Sequence, residues 1–357
     1  MPAGAVQQPV EEKIEMELQV LWFVLWALLW AVYFMLDGFV LGLGMFFGRL
    51  SRSETERRIL LRSVGPVWNG NEVWLVTAGG ATFAAFPTTY ALMFSYLYTA
   101  LLLLLFSLIV RGVAIEFRAK VDTPAWRTTC DGAIAVASFL PAFLFGVAFG
   151  NIFRGLPMDA AGYHGSFLGL LNVYGLLTGV LFVLVFAHHG ALYASVKTVG
   201  ALSNRARQAA RRLWPWVLFV ALAFLAASKS ATRLFDNYLN WPVLAMIPLI
   251  AVAALAAIRF FESKGSLQAA FAASCVTILF VTFTGVAGLF PSLIPSSIDP
   301  AYSLTIYNSS SSPYTLAVMT VAALTFLPIV IAYKAWVYRV FSARVEEKDV
   351  STDTGAY

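Results

Sequence analysis

Long apolar segments separated by short polar ones run through most of the chain, and this pattern indicates the fold class. Nine segments have about the length that an α-helix needs to cross a bilayer. The pattern therefore predicts an all-α integral membrane protein, organised as one polytopic domain over residues 1–357. The predicted helices cover residues 18–47, 70–86, 90–110, 131–150, 167–187, 213–228, 241–258, 267–290 and 314–337.

The positions of lysine and arginine test this number of helices and orient them. Of the 24 Lys and Arg residues, 20 fall in or beside the loops of one side. The other four are Lys13, Arg154, Lys229 and Arg233. Cytoplasmic loops are enriched in Lys and Arg, so the N-terminus is predicted outside and the C-terminus in the cytoplasm. A missed helix would blur this contrast, which favours nine helices, or at least an odd number.

The composition excludes several other classes of protein. The chain is 60% hydrophobic and 12% charged, whereas soluble domains carry about 25% charged residues. The net charge of +5 does not indicate nucleic-acid binding, because the basic residues lie in short loops between apolar segments. Cys130 and Cys275 show no paired spacing, so neither a disulfide framework nor a thiolate metal site is predicted. An acidic leader precedes the first apolar segment, which is therefore interpreted as a retained helix.

Two acidic residues within the predicted helices are the main candidates for chemistry. Asp37 lies inside the first predicted helix, and Glu72 lies near the cytoplasmic start of the second. An ionisable side chain in the hydrocarbon region is costly and is usually kept for a function. We therefore predict that both belong to a proton pathway. The alternative is structural: a helix–helix hydrogen bond for Asp37, and an ion pair with an arginine of the first cytoplasmic loop for Glu72.

The residues just before Glu72 indicate what surrounds its carboxylate. Asn69 and Trp68 precede Glu72 by three and four residues, so the three side chains share a helix face. Asn69 is expected to hold water beside the carboxylate. Trp68 is expected to pack against other residues or to lie at the membrane interface.

Five further positions receive structural interpretations. Gly38 and Gly42 are four residues apart, on one helix face that suits close packing against a neighbouring helix. Arg111, followed by Arg118, ends the third predicted helix and is interpreted as a basic cap at the membrane interface. Asp131 begins the fourth predicted helix and is assigned to its N-cap neighbourhood.

Histidine is scarce, and its distribution argues against a haem or metal site in this chain. His164 falls in a predicted outer loop, and His188 and His189 fall at the cytoplasmic end of the fifth predicted helix. No two of them face each other from two helices at the same depth, as axial haem ligands would. They are interpreted as interface residues, and no metal ligand is assigned.

Several motifs follow one another in order between about residues 18 and 340. They are Asp37-Gly-Phe-x-Leu-Gly-x-Gly44, Thr55-Glu-Arg-Arg58, Gly65-Pro-Val-Trp-Asn-Gly-Asn-Glu-Val-Trp-Leu75, Thr77-Ala-Gly-Gly80, Phe83-Ala-Ala-Phe-Pro87, Arg111-Gly-Val-Ala-Ile-Glu-Phe-Arg118, Gly146-Val-Ala-Phe-Gly-Asn151, Phe290-Pro-x-x-x-Pro-Ser-Ser297 and Ser303-Leu-Thr. Together they resemble subunit II of the cytochrome bd-type quinol oxidases.

The resemblance implies a specific enzyme, fold and partner. The family is a two-subunit respiratory enzyme of bacterial or archaeal cytoplasmic membranes, which oxidises quinol and reduces dioxygen to water with protons from the cytoplasm. It implies that two haems b and one haem d lie in the partner, subunit I, and that this chain scaffolds it and lines a proton path. It implies a fold of two four-helix bundles plus one peripheral helix. A bound structural quinone and a small single-helix accessory subunit are further features that it allows.

The chain departs from the family pattern at two positions. Where the family often has acidic residues, this chain has Val40 and Asn69. Because asparagine cannot change its protonation state, Asp37 and Glu72 are left as the titratable candidates. Two alternatives remain at this point. One is a proton-coupled transporter, in which internal repeats and broken helices are expected, and the other is a purely structural assembly subunit.

Overall fold

The computed structural model describes residues 8–351, and the side chains of residues 12–350. The thirteen α-helices of this range are connected mostly by short loops. They are α1 (Gln8–Leu50), α2 (Glu54–Val64), α3 (Trp68–Ala85), α4 (Pro87–Tyr96), α5 (Tyr98–Phe117), α6 (Pro124–Arg154), α7 (Val173–Lys197), α8 (Gly200–Ala231), α9 (Leu234–Asn240), α10 (Met246–Ser263), α11 (Leu267–Leu289), α12 (Pro313–Val340) and α13 (Glu347–Ser351).

Eight helices of the described range are long and apolar enough to cross a membrane. They are α1, α5, α6, α7, α8, α10 with the 3-10 turn before it, α11 and α12. The prediction of an all-α membrane protein is therefore confirmed. α3 occupies the place of the second predicted helix, but it falls outside this set of eight because it begins with two asparagines and a glutamate. The count of nine and the arrangement in two four-helix bundles stay predictions.

α3 nevertheless runs antiparallel beside α1. The amide of Asn71, near the start of α3, donates a hydrogen bond to the carbonyl of Leu36 at 2.8 Å. Near the other end, the indole of Trp26 donates to the hydroxyl of Thr82 at 2.9 Å. The two bonds lie about ten residues apart on each helix, or about 15 Å along the axis. α3 thus accompanies α1 over about half the thickness of a hydrocarbon core.

The helix ends define two ends of the bundle. One end holds α2, α13 and the C-terminal ends of α1, α5, α7, α10 and α12. We call it the cation-rich end, because most of the described lysines and arginines lie there. At the opposite end lie the C-terminal ends of α3, α6, α8 and α11. We call it the cation-poor end, because only Lys13, Arg154, Lys229 and Arg233 of the described Lys and Arg belong to it.

Two small antiparallel hairpins lie at the cation-poor end. β1 (Met158–Asp159) pairs with β2 (Gly162–Tyr163) in the connection between α6 and α7. β3 (Ser292–Ile294) pairs with β4 (Leu304–Thr305) in the connection between α11 and α12. The connections contact each other, since Leu156 forms an isolated bridge with Ser296.

α1 lies at the centre of the packing. Its aromatic residues Trp30, Tyr33 and Phe34 are buried against Phe145 and Phe149 of α6, mostly edge to face. Aromatic pairs prefer this geometry, which adds to the energy of burying their area. The core of the bundle therefore forms around one face of the long first helix.

α1 and α7 pack at backbone distance. A Cβ atom built on Gly42 would overlap the carbonyl of Phe186, and one built on Gly38 would lie 2.8 Å from the ring of the same residue. Facing them, a Cβ on Gly190 would overlap the backbone of Gly42. Gly38 and Gly42 thus allow α1 to pack closely against α7.

Several helices extend beyond the predicted boundaries, with consequences for polar residues. α5 reaches Phe117 although the third predicted helix ends at residue 110, and α7 reaches Lys197 although the fifth ends at 187. The third predicted helix is also divided, since α4 and α5 meet at Leu97. Arg111 and the two adjacent histidines therefore lie within helices and not at their ends.

Candidate functional site

Arg111 joins the two acidic residues that the sequence singles out. Its guanidinium donates through Nη2 to both carboxylate oxygens of Asp37, at 3.2 and 3.0 Å, and the same nitrogen contacts Oε1 of Glu72. Tyr33, one helical turn before Asp37, donates its hydroxyl to Oδ2 of the aspartate at 3.2 Å. Residues of α1, α3 and α5 therefore meet in one ionic cluster, which we call the Arg111 cluster.

A second polar group connects the cluster to α12. Asn71 donates to the carbonyl of Leu36, and its own carbonyl oxygen accepts from the Tyr338 hydroxyl at 2.9 Å and from Lys334 Nζ at 3.4 Å. Lys334 and Tyr338 are four residues apart, so they project from one face of α12. Glycine at position 70 leaves the room for the ammonium group, since a Cβ there would collide with Nζ.

Accessibility falls steeply across the Arg111 cluster. The side chain of Glu72 is 25% exposed, whereas those of Arg111 and Asp37 are 0% exposed. Nε and Nη1 of Arg111 are buried and have no hydrogen-bond acceptor among the described residues. Buried donors in proteins are usually satisfied by protein or by ordered water. The geometry thus offers a partly exposed carboxylate, a fully buried carboxylate, and two unsatisfied donors on the arginine that joins them.

The charges of the cluster are close to balanced. Asp37 and Glu72 supply two carboxylates, while Arg111 and the nearby Lys334 supply two cations. Burying an ion costs several kcal/mol, which an ion pair offsets only with good geometry and further hydrogen bonds. The Tyr33 hydroxyl supplies such a bond to Asp37. Each buried charge of the cluster therefore lies beside at least one charge of opposite sign.

The structure corrects the sequence interpretation of Arg111 and modifies that of Asn69. Arg111 is not an interface cap, because α5 continues for six residues beyond it, which is about 9 Å. Asn69 is exposed and forms no hydrogen bond or ion pair with the described residues, so the buried asparagine of the motif is Asn71. Trp68 is buried, and its ring lies 3.3 Å from a Cβ built on Gly112 of α5. Glu72 pairs with Arg111 and not with an arginine of the loop after α1.

Sequence reasoning missed Lys334 and Asn71, although a signal existed for the lysine. Lys334 is a single cation inside a long apolar segment, and the rule that selects Asp37 applies to it equally. Asn71 had no such signal. Its motif holds two asparagines, and only the tertiary contact with Leu36 shows which one is buried.

A second arginine cluster lies at the cation-rich end. Arg118, two turns beyond Arg111, binds Glu54 of α2 at 2.7 and 2.9 Å and Asp131 of α6 at 2.5 and 3.2 Å. Arg57 also contacts Asp131, at 3.3 Å. The hydrogen bonds from Arg118 hold the pKa of Glu54 below its usual value, against the opposing effect of partial burial.

This second cluster corrects two further interpretations. Arg118 is 2% exposed, so its side chain is enclosed by its ion pairs and is not an exposed cap. Asp131 does not lie at the start of α6, because that helix begins at Pro124 with Thr123 as its N-cap. Asp131 lies two turns inside α6 and binds Arg118 instead.

His188 and His189 also lie elsewhere than predicted. Both are buried within α7, at 3% and 1% exposure, so they are not interface residues. His189 Nδ1 lies 2.7 Å from Ser274 Oγ and Nε2 lies 3.0 Å from the carbonyl of Met35. The ring therefore links α7 to α11 and α1. His164 is exposed and lies 2.8 Å from Asp159.

The two buried histidines are adjacent on α7, and Nε2 of His188 has no hydrogen-bond partner among the described residues. Among the described residues, no group of three or more His, Cys, Asp or Glu could hold a metal ion. The side chains that meet at the Arg111 cluster supply carboxylate, guanidinium and hydroxyl groups, and Lys334 adds an ammonium group nearby.

Comparison with known proteins assigns the family. The sequence profile of cytochrome bd terminal oxidase subunit II matches residues 18–341. The chain belongs to this family. It is 39% identical over 325 residues to cytochrome bd ubiquinol oxidase subunit 2 of Bacillus subtilis, covering 90% of this chain and 94% of the relative. It is 35% identical over 351 residues to cytochrome bd-I ubiquinol oxidase subunit 2 of Escherichia coli, covering 89% and 92%.

The fold agrees with this assignment. The solved structure of bd oxidase from Geobacillus thermodenitrificans superimposes with a TM-score of 0.75, covering 91% of this chain and 98% of that chain. At 20% sequence identity this likeness concerns the fold alone. The predicted family is thus confirmed, and with it a multi-span subunit of a membrane oxidase that works with a subunit I partner.

Proposed function

We propose that this chain is the haem-free second subunit of a quinol:dioxygen oxidoreductase, and that its Arg111 cluster supports proton uptake for the reduction of dioxygen. One observation carries the second part: two carboxylates, one partly exposed and one fully buried, share a single buried arginine. The quinol specificity is suggested by the relatives, which are named ubiquinol oxidases. The comparisons give no support to a proton-coupled transporter.

Glu72 is the carboxylate through which protons would arrive. Its side chain keeps a quarter of its accessible surface, while Asp37 keeps none. Glu72 lies in the first turns of α3, near the cation-rich end. By the charge distribution, that end faces the cytoplasm. Uptake would thus start on the side from which the family takes its protons.

Arg111 would hold the two carboxylates without carrying the proton itself, because a guanidinium stays protonated in proteins. A proton must therefore move between Glu72 and Asp37 along a hydrogen-bonded water or by a change of side-chain position. The unaccepted Nε and Nη1 donors of Arg111 are suited to ordering such a water. Tyr33 donates to Oδ2 of Asp37 and extends the chain of hydrogen bonds by one group.

The remaining chemistry belongs to the partner. From the family to which the chain belongs, we infer that subunit I holds two haems b and one haem d. The haems supply the electron transfer and the reduction of dioxygen when bound there. This chain would hold the partner in the membrane and conduct protons towards it. A structural quinone and a single-helix accessory subunit remain parts of the proposal to which no residue is assigned.

Two carboxamide substitutions test the proton path in the assembled complex. Asp37→Asn and Glu72→Gln keep the size of each side chain and remove its titration. In the double variant, quinol-driven oxygen consumption per haem and charge translocation in liposomes should fall by about tenfold or more, because positioned proton-transfer groups contribute rate factors of this order or larger. Haem content and complex yield should stay close to those of the parent.

A matched variant separates this effect from the loss of an ion pair. Glu56 pairs with Arg205 at 2.6 Å near the surface of the cation-rich end, so Glu56→Gln removes a comparable charge outside the path. It should leave turnover unchanged. Normal oxygen consumption and charge translocation in the double variant would overturn the proton path. Loss of haem and yield with unchanged turnover per remaining haem would instead assign both carboxylates to packing.

A further inference from the structure

Two cavities adjoin each other at the cation-poor end, and they differ in chemistry. One is an apolar groove of about 540 Å³, and the other is a polar cavity of about 650 Å³. Asn237 and Phe290 line both of them. An apolar space and a polar space that share a wall match the two parts of an amphiphile.

The apolar groove has the length of one membrane leaflet. Along α11 it extends from Phe280 to the C-cap residue Phe290, which is about 15 Å. On α1 its wall runs from Val20 to Ala27. Half of a hydrocarbon core of about 30 Å is also about 15 Å. An acyl chain that enters the bilayer from the cation-poor end would thus find a groove that follows it to about the midplane.

Two arginines line the polar cavity. Arg154 at the end of α6 and Arg233 before α9 both line it, as does the single acid Asp236. Within the described part of the chain, neither guanidinium forms an ion pair or a hydrogen bond. Seven Ser and Thr residues complete the polar wall, and the hydroxyls of Ser292 and Ser297 likewise have no partner among the described residues.

The wall between the two spaces is held in place by hydrogen bonds. The amide nitrogen of Asn237 donates to the carbonyls of Ala287, Gly288 and Phe290, at 3.0, 3.1 and 2.5 Å. The hydroxyl of Tyr238 donates to the carbonyl of Thr284 at 2.5 Å. α9 is therefore fastened to the end of α11, and the boundary between groove and cavity is fixed.

We propose that this paired site binds a phospholipid with an anionic headgroup, its phosphate in the polar cavity and one acyl chain in the groove. Arginine recognises phosphate through two parallel hydrogen bonds as well as by charge. The site gathers two of the four cations of the cation-poor end, and Lys229 directly precedes its wall residue Ser230. A concentration of positive charge at this otherwise cation-poor end favours a headgroup with net negative charge.

The assembled complex with its haem-bearing partner allows a direct test. After delipidation, it is titrated with phosphatidylglycerol or phosphatidylcholine of identical chains, and bound lipid is counted by native mass spectrometry. The parent should retain one phosphatidylglycerol more tightly than phosphatidylcholine. The Arg154→Gln, Arg233→Gln double variant should bind it about 10-fold to 30-fold more weakly, since each arginine near an anionic lipid surface contributes on the order of a three- to sixfold change.

Two controls distinguish the parts of the site. Arg339 and Arg344 are exposed at the opposite end, so their double glutamine variant should bind like the parent. Ala287→Phe narrows the groove without touching the arginines, and it should weaken the binding of the long-chain lipid. The proposal is overturned if the parent binds both lipids equally, or if the Arg154, Arg233 double variant binds like the parent. It is also overturned if inorganic phosphate displaces the bound lipid with the same efficiency as a competing phospholipid. A retained molecule that proves to be a neutral isoprenoid would overturn it too.

Discussion

Arg111→Gln removes the cation that holds Asp37 and Glu72 together. Glutamine keeps a polar side chain but supplies no charge, so the two acidic residues would then face each other without a shared counterion. One of them is fully buried and the other is three-quarters buried. We expect this substitution to destabilise the complex far more than the substitution of an ordinary surface charge would.

The magnitude follows from the distances and the burial. Nη2 of Arg111 lies 3.0 Å from Oδ2 of Asp37. At an effective dielectric constant of about 20, a pair of unit charges at this distance attracts by about 5 kcal/mol. Measured losses on removing one partner of a buried ion pair are about 3–5 kcal/mol, because the other charge stays buried. We therefore expect a loss of about 3–5 kcal/mol in the free energy of unfolding.

The assay is the retention of the haem absorbance and of the assembled complex in increasing denaturant. Arg127→Gln serves as the matched control. Arg127 pairs with Asp122 at 2.5 Å and more distantly with Glu54 at 3.9 Å, and these side chains are 34%, 88% and 36% exposed. An exposed pair of this kind contributes about 1 kcal/mol or less. The midpoint should thus move strongly for the buried arginine and little for the exposed one.

A triple variant identifies the cause. If uncompensated buried carboxylates are responsible, adding Asp37→Asn and Glu72→Gln to Arg111→Gln should recover most of the lost stability. Lys334, which is only partly buried, is then the one charged side chain left in the cluster. Stability of Arg111→Gln equal to that of the parent would refute the reasoning. A triple variant less stable than the single one would refute it equally, because the loss would then come from packing and not from charge.

Two further predictions concern the packing and the acid response. Gly42→Ala should separate α1 from α7 and lower the yield of assembled complex, because its Cβ would overlap the carbonyl of Phe186. Gly79→Ala is the control and should leave the yield unchanged, because the space around its Cβ is open. Equal yields of the two variants by size-exclusion chromatography would contradict the prediction. Arg118 holds the pKa of Glu54 below its usual value of 4.5. The stability that Glu54 contributes is therefore present above pH 4.5 and is lost as the pH falls through its lower folded pKa. Thermal unfolding from pH 7 to 3 should show the advantage of the parent over Glu54→Gln shrinking below about pH 4.5, and an advantage that grows there would exclude this pair as its source.

The apolar pattern predicted most helices well, because a helix in lipid must be apolar along its length whatever it packs against. α11 begins at the predicted residue and ends one residue early, and α12 begins one residue early. The errors arose where a polar residue was taken as the end of a helix. Arg111 and His189 each continue a helix because a partner on another helix binds them, and a pattern along one chain does not contain that partner.

The candidate site shows the same limit more sharply. Asp37 and Glu72 were identified from the cost of a charge in an apolar segment, which is a property of each residue alone. Their meeting through Arg111 depends on the register between α1, α3 and α5. A one-turn shift of α3 would move its acid by about 5 Å and break the contact. The identity of the residues could be predicted, but their connection could not.

α5 carries the two arginine clusters because of its own periodicity. Arg111 and Arg118 are seven residues apart, two turns of one helix face, and both are nearly inaccessible. Each binds carboxylates from two different elements: α1 and α3 for the first, α2 and α6 for the second. Since the apolar residues of the opposite face are exposed, α5 is fixed in position largely through these ion pairs and the contacts of its buried face. A helix held by charge at two depths cannot rotate without breaking both clusters. The depth of Asp37 relative to the cation-rich end is thus set by the same seven-residue spacing that places Arg118 beside Glu54.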